Sequence, residues 1–187
     1  IQNGKIVRIS PADTTAAADQ ADVLDAGERL LTAGLIDVHT QGAGNADVLA
    51  GTFAALNQMS QTLARLGTTA FLATTVVQKN TDNAHLPAVD AAIRRGLQGA
   101  RCLGIHLEGP YINVKRKGGI GVENIFSDEV MPLAEVLRLC SGRLAMMTIA
   151  PELEGGLQKI SELVQAGVVA ALGHTDASYE QAGQGFG

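Results

Sequence analysis

The sequence predicts an α/β fold organised around a parallel sheet, and three observations carry that prediction. From residue 31 onward, short apolar runs alternate with segments whose apolar residues recur at helical spacing. The runs are nearly continuous in Val, Ile, Leu and Ala, as strands covered by helices require. Three of them close on side chains able to ligate a metal: Leu35-Ile36-Asp37-Val38-His39, Gly104-Ile105-His106-Leu107-Glu108, and Val168 to Gly173 followed by His174. Periodicity does not separate an open doubly wound sheet from a (β/α)8 barrel. Polar groups collected at strand C-termini, and the lack of a Gly-rich phosphate turn after the first strand, favour the barrel. Gly42-Ala43-Gly44 begins such a turn, but Asp47 stands where its last glycine would fall.

Residues 1–30 read differently from the rest. Lys5-Ile6-Val7-Arg8-Ile9 alternates at period two, and a polar, Ala-rich stretch from Pro11 to Gln20 separates it from a second short strand over 21–26. The first barrel strand spans 35–39. A helix over 52–66 follows, with Phe53, Leu56, Met59, Leu63 and Leu66 on one side and Gly67 closing it. A strand over 69–77 and a helix over 85–97 come next. In the strand over 102–108, Ile105 and Leu107 alternate with His106 and Glu108, so the two polar side chains share a face. Gly109 and Pro110 end its pairing and turn the chain. The next helix spans 128–139, with Ser127 as its N-cap. A strand over 144–150, a helix over 157–165 closed by Gly167, and a strand over 168–174 complete the series. A last helix starts after Thr175 or Asp176, either of which can cap it.

Composition bounds the function classes. With 187 residues and 46% hydrophobic content, the chain can bury a sizeable core. No run approaches the ~20 apolar residues of a membrane helix, and no basic segment leads into an apolar one as in a secretory signal. A net charge of −5 disfavours a nucleic-acid surface. Cys102 and Cys140 have no Cys-x-x-Cys relation and read as buried free thiols of a cytoplasmic protein. The first residues, without an initiator Met, and the last, inside or just after a helix, read as cut ends of a longer protein.

Glu108 is the sharpest candidate residue: a carboxylate at a strand's C-terminal end has the charge and reach for a divalent cation, or for a nearby Arg or Lys. His174 offers a neutral imidazole, the commonest metal ligand, and alternatively a hydrogen-bonded wall residue. His106, on the same face as Glu108 and one layer deeper, reads as an interior hydrogen-bonded histidine behind the metal. His85 opens a helix far from any strand end and reads as solvent-exposed. Glu152, at the rim, either orients substrate or the groups behind the metal, or forms a structural ion pair. Lys115-Arg116-Lys117 suits a phosphorylated ligand, or is simply a solvated loop.

The strings Gly34 to His39, His106-Leu107-Glu108-Gly109-Pro110, Thr148-Ile149-Ala150-Pro151-Glu152 and Gly173-His174-Thr175-Asp176-Ala177-Ser178-Tyr179-Glu180 resemble those of the N-acetylglucosamine-6-phosphate deacetylases, within the amidohydrolase superfamily. Their order and spacing fit from about the first residue to the last. The resemblance implies a partial (β/α)8 barrel over 31–187, its first five βα units, with residues 1–30 as part of a small flanking β-sandwich. It implies that Glu108 and His174 ligate the metal, with the second metal histidine and a proton-shuttling aspartate on later strands, outside this chain. Superfamily members often carry His-x-His at the end of strand 1, where a second metal binds. Here the string is His39-Thr40-Gln41, and an amide is a poorer ligand than an imidazole.

One divalent ion, zinc or iron, is therefore expected rather than two, with His39 either a weak extra ligand or, like Gln41, a group behind the metal. In the family the loop after Glu108 carries a substrate-contacting His following Lys-Gly-x. This chain has Ile120 there, after Gly119, so Gly119, Ile120, Lys115 and Lys117 are the candidate substrate contacts. The implied reaction is deacetylation of an amino-sugar phosphate, most simply N-acetylglucosamine 6-phosphate, by a cytoplasmic enzyme that is a homodimer when full length. It engages neither nucleic acid nor membrane. Ile120 and the single strand-1 His keep one rival open, an amidohydrolase of cyclic amides or dipeptide-like substrates; a truncated or degenerate non-catalytic relative that only binds a ligand or partner is a further reading.

Overall fold

The structure, a computed structural model, describes residues 2, 3, 5–9, 11, 22 and 24–186. The chain divides into two compact units, Ile1–Ala33 and Gly34–Gly187. In the first, Gln2 and Lys5 exchange backbone hydrogen bonds of 2.9 and 3.0 Å as an isolated antiparallel bridge. The strand expected over Lys5–Ile9 does not form: Ile6, Val7 and Ile9 are exposed, and among the described residues no strand pairs with them. Of the strand expected over 21–26, residues 21 and 23 lie outside the described residues, and 24–26 run into a turn in which Arg29 N–H donates to Ala26 O. Most of the linker, residues 12–20, also lies outside them.

The second unit begins with β1 (Leu35–Thr40). A two-residue turn at Gly44 and Asn45, both at positive φ as a right-twisted hairpin requires, joins β2 (Gly42–Ala43) to β3 (Ala46–Asp47). Then follow α1 (Phe53–Arg65), β4 (Thr68–Thr75), α2 (His85–Arg95), β5 (Arg101–Glu108), α3 (Leu133–Leu139), β6 (Leu144–Ile149), α4 (Gly156–Gln165), β7 (Val169–Leu172) and α5 (Tyr179–Gly185).

Strands β1, β4, β5, β6 and β7 form one parallel sheet in chain order. A doubly wound sheet reverses its strand order partway, whereas a (β/α)8 barrel lays each new strand beside the last. The unbroken order is that of a partial (β/α)8 barrel.

One face of the sheet makes the core. Phe71, Ile105, Leu107, Met147 and Ile149 are fully buried in one cluster with Leu56, Met59 and Leu63 of α1, Leu86 and Val89 of α2, Val136 of α3 and Leu163 of α4. Each such side chain contributes roughly 1.5–3 kcal/mol. Cys102 and Cys140 are buried and free, and burial pushes the Cys140 thiol up to about 12. Thr74, His106, Glu108 and Thr148, by register, share the opposite face. The sequence pattern of polar residues two apart on β5 thus becomes a polar interior layer.

Three element ends differ from expectation. The helix over 128–139 starts only at Leu133, because Pro132 (ψ 146°) is extended and disfavours helix at the residue before it. Residues 127–131 form a turn instead, and Asp128 Oδ1 accepts from Leu133 N–H at 2.9 Å. Strand β7 stops at Leu172, two residues short, since His174 has a left-handed φ of 50°. Helix α5 is capped by Ser178, not Thr175 or Asp176: Ser178 Oγ accepts from Gln181 N–H while the Gln181 side chain accepts from Ser178 N–H.

Candidate metal centre

Glu108, the last residue of β5, is 6% exposed. A carboxylate so placed needs strong partners. Its oxygens receive three side chains from two directions. Gln41, just past β1, donates through Nε2 to Oε2. His174 Nε2 lies 3.2 Å from Oε1, and His39 Nε2, on β1, lies 3.4 Å from the same oxygen. Among the described residues no Lys or Arg pairs with Glu108, so the surface-type ion pair is not its partner.

The His174 ring is fixed at its other end. Nδ1 lies 2.7 Å from Arg116 O, and because a carbonyl only accepts, Nδ1 donates. A neutral imidazole that donates through Nδ1 carries its lone pair at Nε2. That lone pair would face a carboxylate oxygen at 3.2 Å, which is repulsive unless a proton or a cation lies between them. Gly118 supports the ring from below: at φ 56°, a Cβ there would stand 3.3 Å from His174 Cε1. The donors thus fit a divalent ion in kind, carboxylate and imidazole. They do not make a complete cage. Among the described residues, no group of three or more His, Cys, Asp and Glu is arranged to hold an ion, so His39 adds no third ligand to the Glu108–His174 pair as it stands. His39 is also half exposed, its side chain at 51%.

His106 is buried and ties four strands together. Its Nδ1 is 2.9 Å from Val38 O and 3.4 Å from Thr74 Oγ1, and its Nε2 2.9 Å from Thr148 Oγ1. The contact with Val38 falls at an irregularity in β1, whose register to β4 shifts between Asp37 and Thr40. Thr40 N–H, beyond the same irregularity, donates to Thr74 Oγ1 at 2.9 Å. Burial holds the His106 imidazole below its ordinary value, so it is neutral, and one ring nitrogen donates while the other accepts. The His106 and His39 rings meet edge to face, with centroids 5.0 Å apart.

The loop after β5 closes one side of a cleft of about 430 Å³ lined by Gln41, Glu108, Gly119, Ile120, Asn124 and His174, among others. Ile120 is 8% exposed and presents an apolar wall. Of the three adjacent cations, Lys115 and Arg116 turn to Asp176, with Lys115 Nζ 3.4 Å from Oδ2 and Arg116 Nη2 2.7 Å from Oδ1. Lys117 Nζ donates to Gly118 O and Ile120 O, each at 3.3 Å. Neither Lys115 nor Lys117 lines the cleft.

Two residues carry more than the sequence indicates. His85, expected in solvent, is 5% exposed: its Nε2 lies 3.0 Å from Val76 O, pinning the loop that follows β4. Burial holds its imidazole below the ordinary value. Glu152 forms no ion pair among the described residues and accepts hydrogen bonds from Asn113, Thr175 and Asp176 instead.

No protein-family profile matches the chain. Among curated proteins, it is 37% identical over 181 residues to an N-acetylglucosamine-6-phosphate deacetylase of Vibrio furnissii, covering 96% of this chain and 45% of that protein. It is 32% identical to an N-acetylgalactosamine-6-phosphate deacetylase of Escherichia coli O157:H7, over 100% of this chain and 48% of that one. Among solved structures, N-acetyl-D-glucosamine-6-phosphate deacetylase from Mycobacterium smegmatis superposes with a TM-score of 0.74 at 32% identity, over 92% of this chain and 48% of that chain. The chain spans about half the length of the curated relatives it matches. By sequence and by fold alike, it matches a partial span of the N-acetylglucosamine-6-phosphate deacetylase family, within the amidohydrolase superfamily.

Proposed function

We propose that the full-length protein is a metal-dependent amidohydrolase that removes the acetyl group of N-acetylglucosamine 6-phosphate, yielding glucosamine 6-phosphate and acetate. The observation that carries this reading is the buried Glu108 carboxylate, met by His174 and His39 and, among the described residues, paired with no Lys or Arg, in a chain similar to named deacetylases. Glu108 and His174 hold one divalent ion, zinc or iron, with further ligands from outside the described residues. Held by these residues, a divalent ion would supply Lewis acidity for the amide carbonyl and for a water whose pKa such ions lower to about 7.

This chain's own residues orient and enclose. Gln41 fixes the Glu108 carboxylate through Oε2, leaving Oε1 toward His174. His106 anchors the layer behind it, and Gly119 and Ile120 wall the cleft against the sugar. The proton shuttle to the leaving amine lies outside the described residues. Residues 1–30 belong to a flanking β-sandwich, and the protein is a cytoplasmic homodimer that takes a small phosphorylated ligand, engaging neither nucleic acid nor membrane.

The relative named for N-acetylgalactosamine 6-phosphate favours a second reading, the C4 epimer as substrate. Acetate release by the full-length protein from both sugar phosphates and from unphosphorylated N-acetylglucosamine tests the proposal. The highest kcat/KM is expected on N-acetylglucosamine 6-phosphate. A higher value on the epimer transfers the assignment to it, and no acetate from any of the three overturns the reading.

A further inference from the structure

We propose that Glu152 is a positioning residue that sets the His174 imidazole against Glu108 through a clasp on the His174 carbonyl and the two residues after it. This inference rests on the reading of Glu108 and His174 as the metal pair.

Glu152 follows Pro151 at the end of β6 and touches neither the His174 ring nor Glu108 by any hydrogen bond among the described residues. Its Oε1 accepts from Asp176 N–H at 2.7 Å and from Asn113 Nδ2 at 2.9 Å, and its Oε2 accepts from Thr175 Oγ1. Thr175 Oγ1 in turn accepts from Ala177 N–H at 3.0 Å. Asn113 N–H donates to His174 O at 2.8 Å. The carbonyl of His174 and the two residues after it are thus all held by Glu152 or by its partner Asn113.

The clasp has something to hold. His174 sits at φ 50°, a left-handed conformation that disfavours a β-carbon residue and persists only where its surroundings fix it. That turn lifts the chain off β7 and swings the imidazole over the rim toward Glu108. A second arm reaches the ring itself. With its N–H on Glu152, Asp176 holds the Arg116 guanidinium through Oδ1, and Arg116 O receives the proton of His174 Nδ1. One carboxylate in the turn after β6 therefore holds both the backbone turn at His174 and, through Asp176 and Arg116, the carbonyl that fixes its tautomer.

The test uses the full-length protein and its Glu152→Ala, Glu152→Gln, Thr175→Val and Glu152→Gln/Thr175→Val variants. Asp90→Asn serves as a control: it weakens a buried pair with Arg143 (2.7 Å) that belongs to α2 and the start of β6. Zinc affinity is measured by competition with a chromophoric chelator, and the His174 ring nitrogens are followed by ¹⁵N NMR in metal-free protein. Glu152→Ala is expected to weaken zinc about 10–100-fold, as loss of a ligand-orienting partner does, and to move the His174 ring signals toward those of a free imidazole. The double variant is expected to lose no more than Glu152→Gln alone, because both changes cut one connection. Asp90→Asn should lower thermal stability while leaving zinc affinity and the ring signals in place. Absence of zinc binding by the unmodified protein refutes the metal reading, and the ring signals still decide the clasp. Unmoved ring signals in Glu152→Ala, or an equal zinc loss in Asp90→Asn, overturn it.

Discussion

His174 Nε2 lies 3.2 Å from Glu108 Oε1, although 66 residues separate them and β6 stands between their strands. Only the parallel winding brings the ends of β5 and β7 to one rim, and only the left-handed turn at His174 spans the remaining gap. If this pair holds the ion, Glu108→Gln and His174→Ala should each strip most of the roughly one equivalent of zinc or iron expected in the full-length protein. Gln keeps the shape of Glu and its bond to Gln41 but lacks the charge, which separates ligation from packing. Elemental analysis of protein purified without chelator reads the result, and unchanged metal in both variants refutes the assignment.

Ile120 tests the cleft. It lines the wall beside Gly119 and is nearly buried, yet an isoleucine offers a polar substrate no hydrogen bond. Ile120→His should raise kcat/KM for N-acetylglucosamine 6-phosphate, since a donor or acceptor left unmet by the wall costs about 1–3 kcal/mol. Ile120→Val, which changes volume alone, should not. A loss of activity with both variants of equal size would mean that the apolar wall itself recognises the substrate.

The fold was legible where periodicity met burial. Five apolar runs became five strands in chain order, and the alternation of Ile105 and Leu107 with His106 and Glu108 became a core face and a polar face. The approach of His174 to Glu108 was legible only through residue types at strand ends. What the sequence did not disclose were effects of turn geometry. Pro132 delays α3 by five residues, and the capping pair Ser178-x-x-Gln181 starts α5 although Thr175 and Asp176 offer equally suitable cap side chains just before it. The burial of His85 depends on Val76 O, nine residues away across a loop, and no local pattern encodes that contact. Likewise, the pairing of Lys115 and Arg116 with Asp176 joins two loops brought together by tertiary structure.

Glu152 gives a pH dependence with a definite sign. Burial pushes its carboxyl up, but the hydrogen bonds from Thr175, Asp176 N–H and Asn113 outweigh that and hold it below the ordinary value of 4.5. A depressed folded pKa means the clasp's contribution is fully present above the unfolded value and is lost as pH falls through the folded one. In metal-free full-length protein, the stability gap between the unmodified chain and Glu152→Gln should therefore be largest near neutrality and narrow as the pH drops below 4.5. Denaturant titrations across that range read it. A gap that is constant with pH would show that the charge on Glu152 does not matter to the fold.

The last expectation concerns residues 1–187 expressed alone. The sheet runs from β1 to β7, and among the described residues neither strand has a neighbour on its outer side. Each outer edge carries a row of backbone donors and acceptors, a template for pairing with another chain. Apolar side chains accompany those edges: Leu35, Ile36 and Val38 on β1 and Val169 on β7 are all exposed. A closed barrel removes both edges, and a five-stranded segment leaves them open. The isolated segment should therefore sediment as an edge-paired or aggregated species. It should also release no acetate, because among its described residues Glu108 and His174 have no third ligand to complete a metal site. Sedimentation velocity and an acetate-release assay on the same sample decide the matter. A monodisperse, active monomer would mean that five βα units close their own edges and that catalysis needs no group outside them.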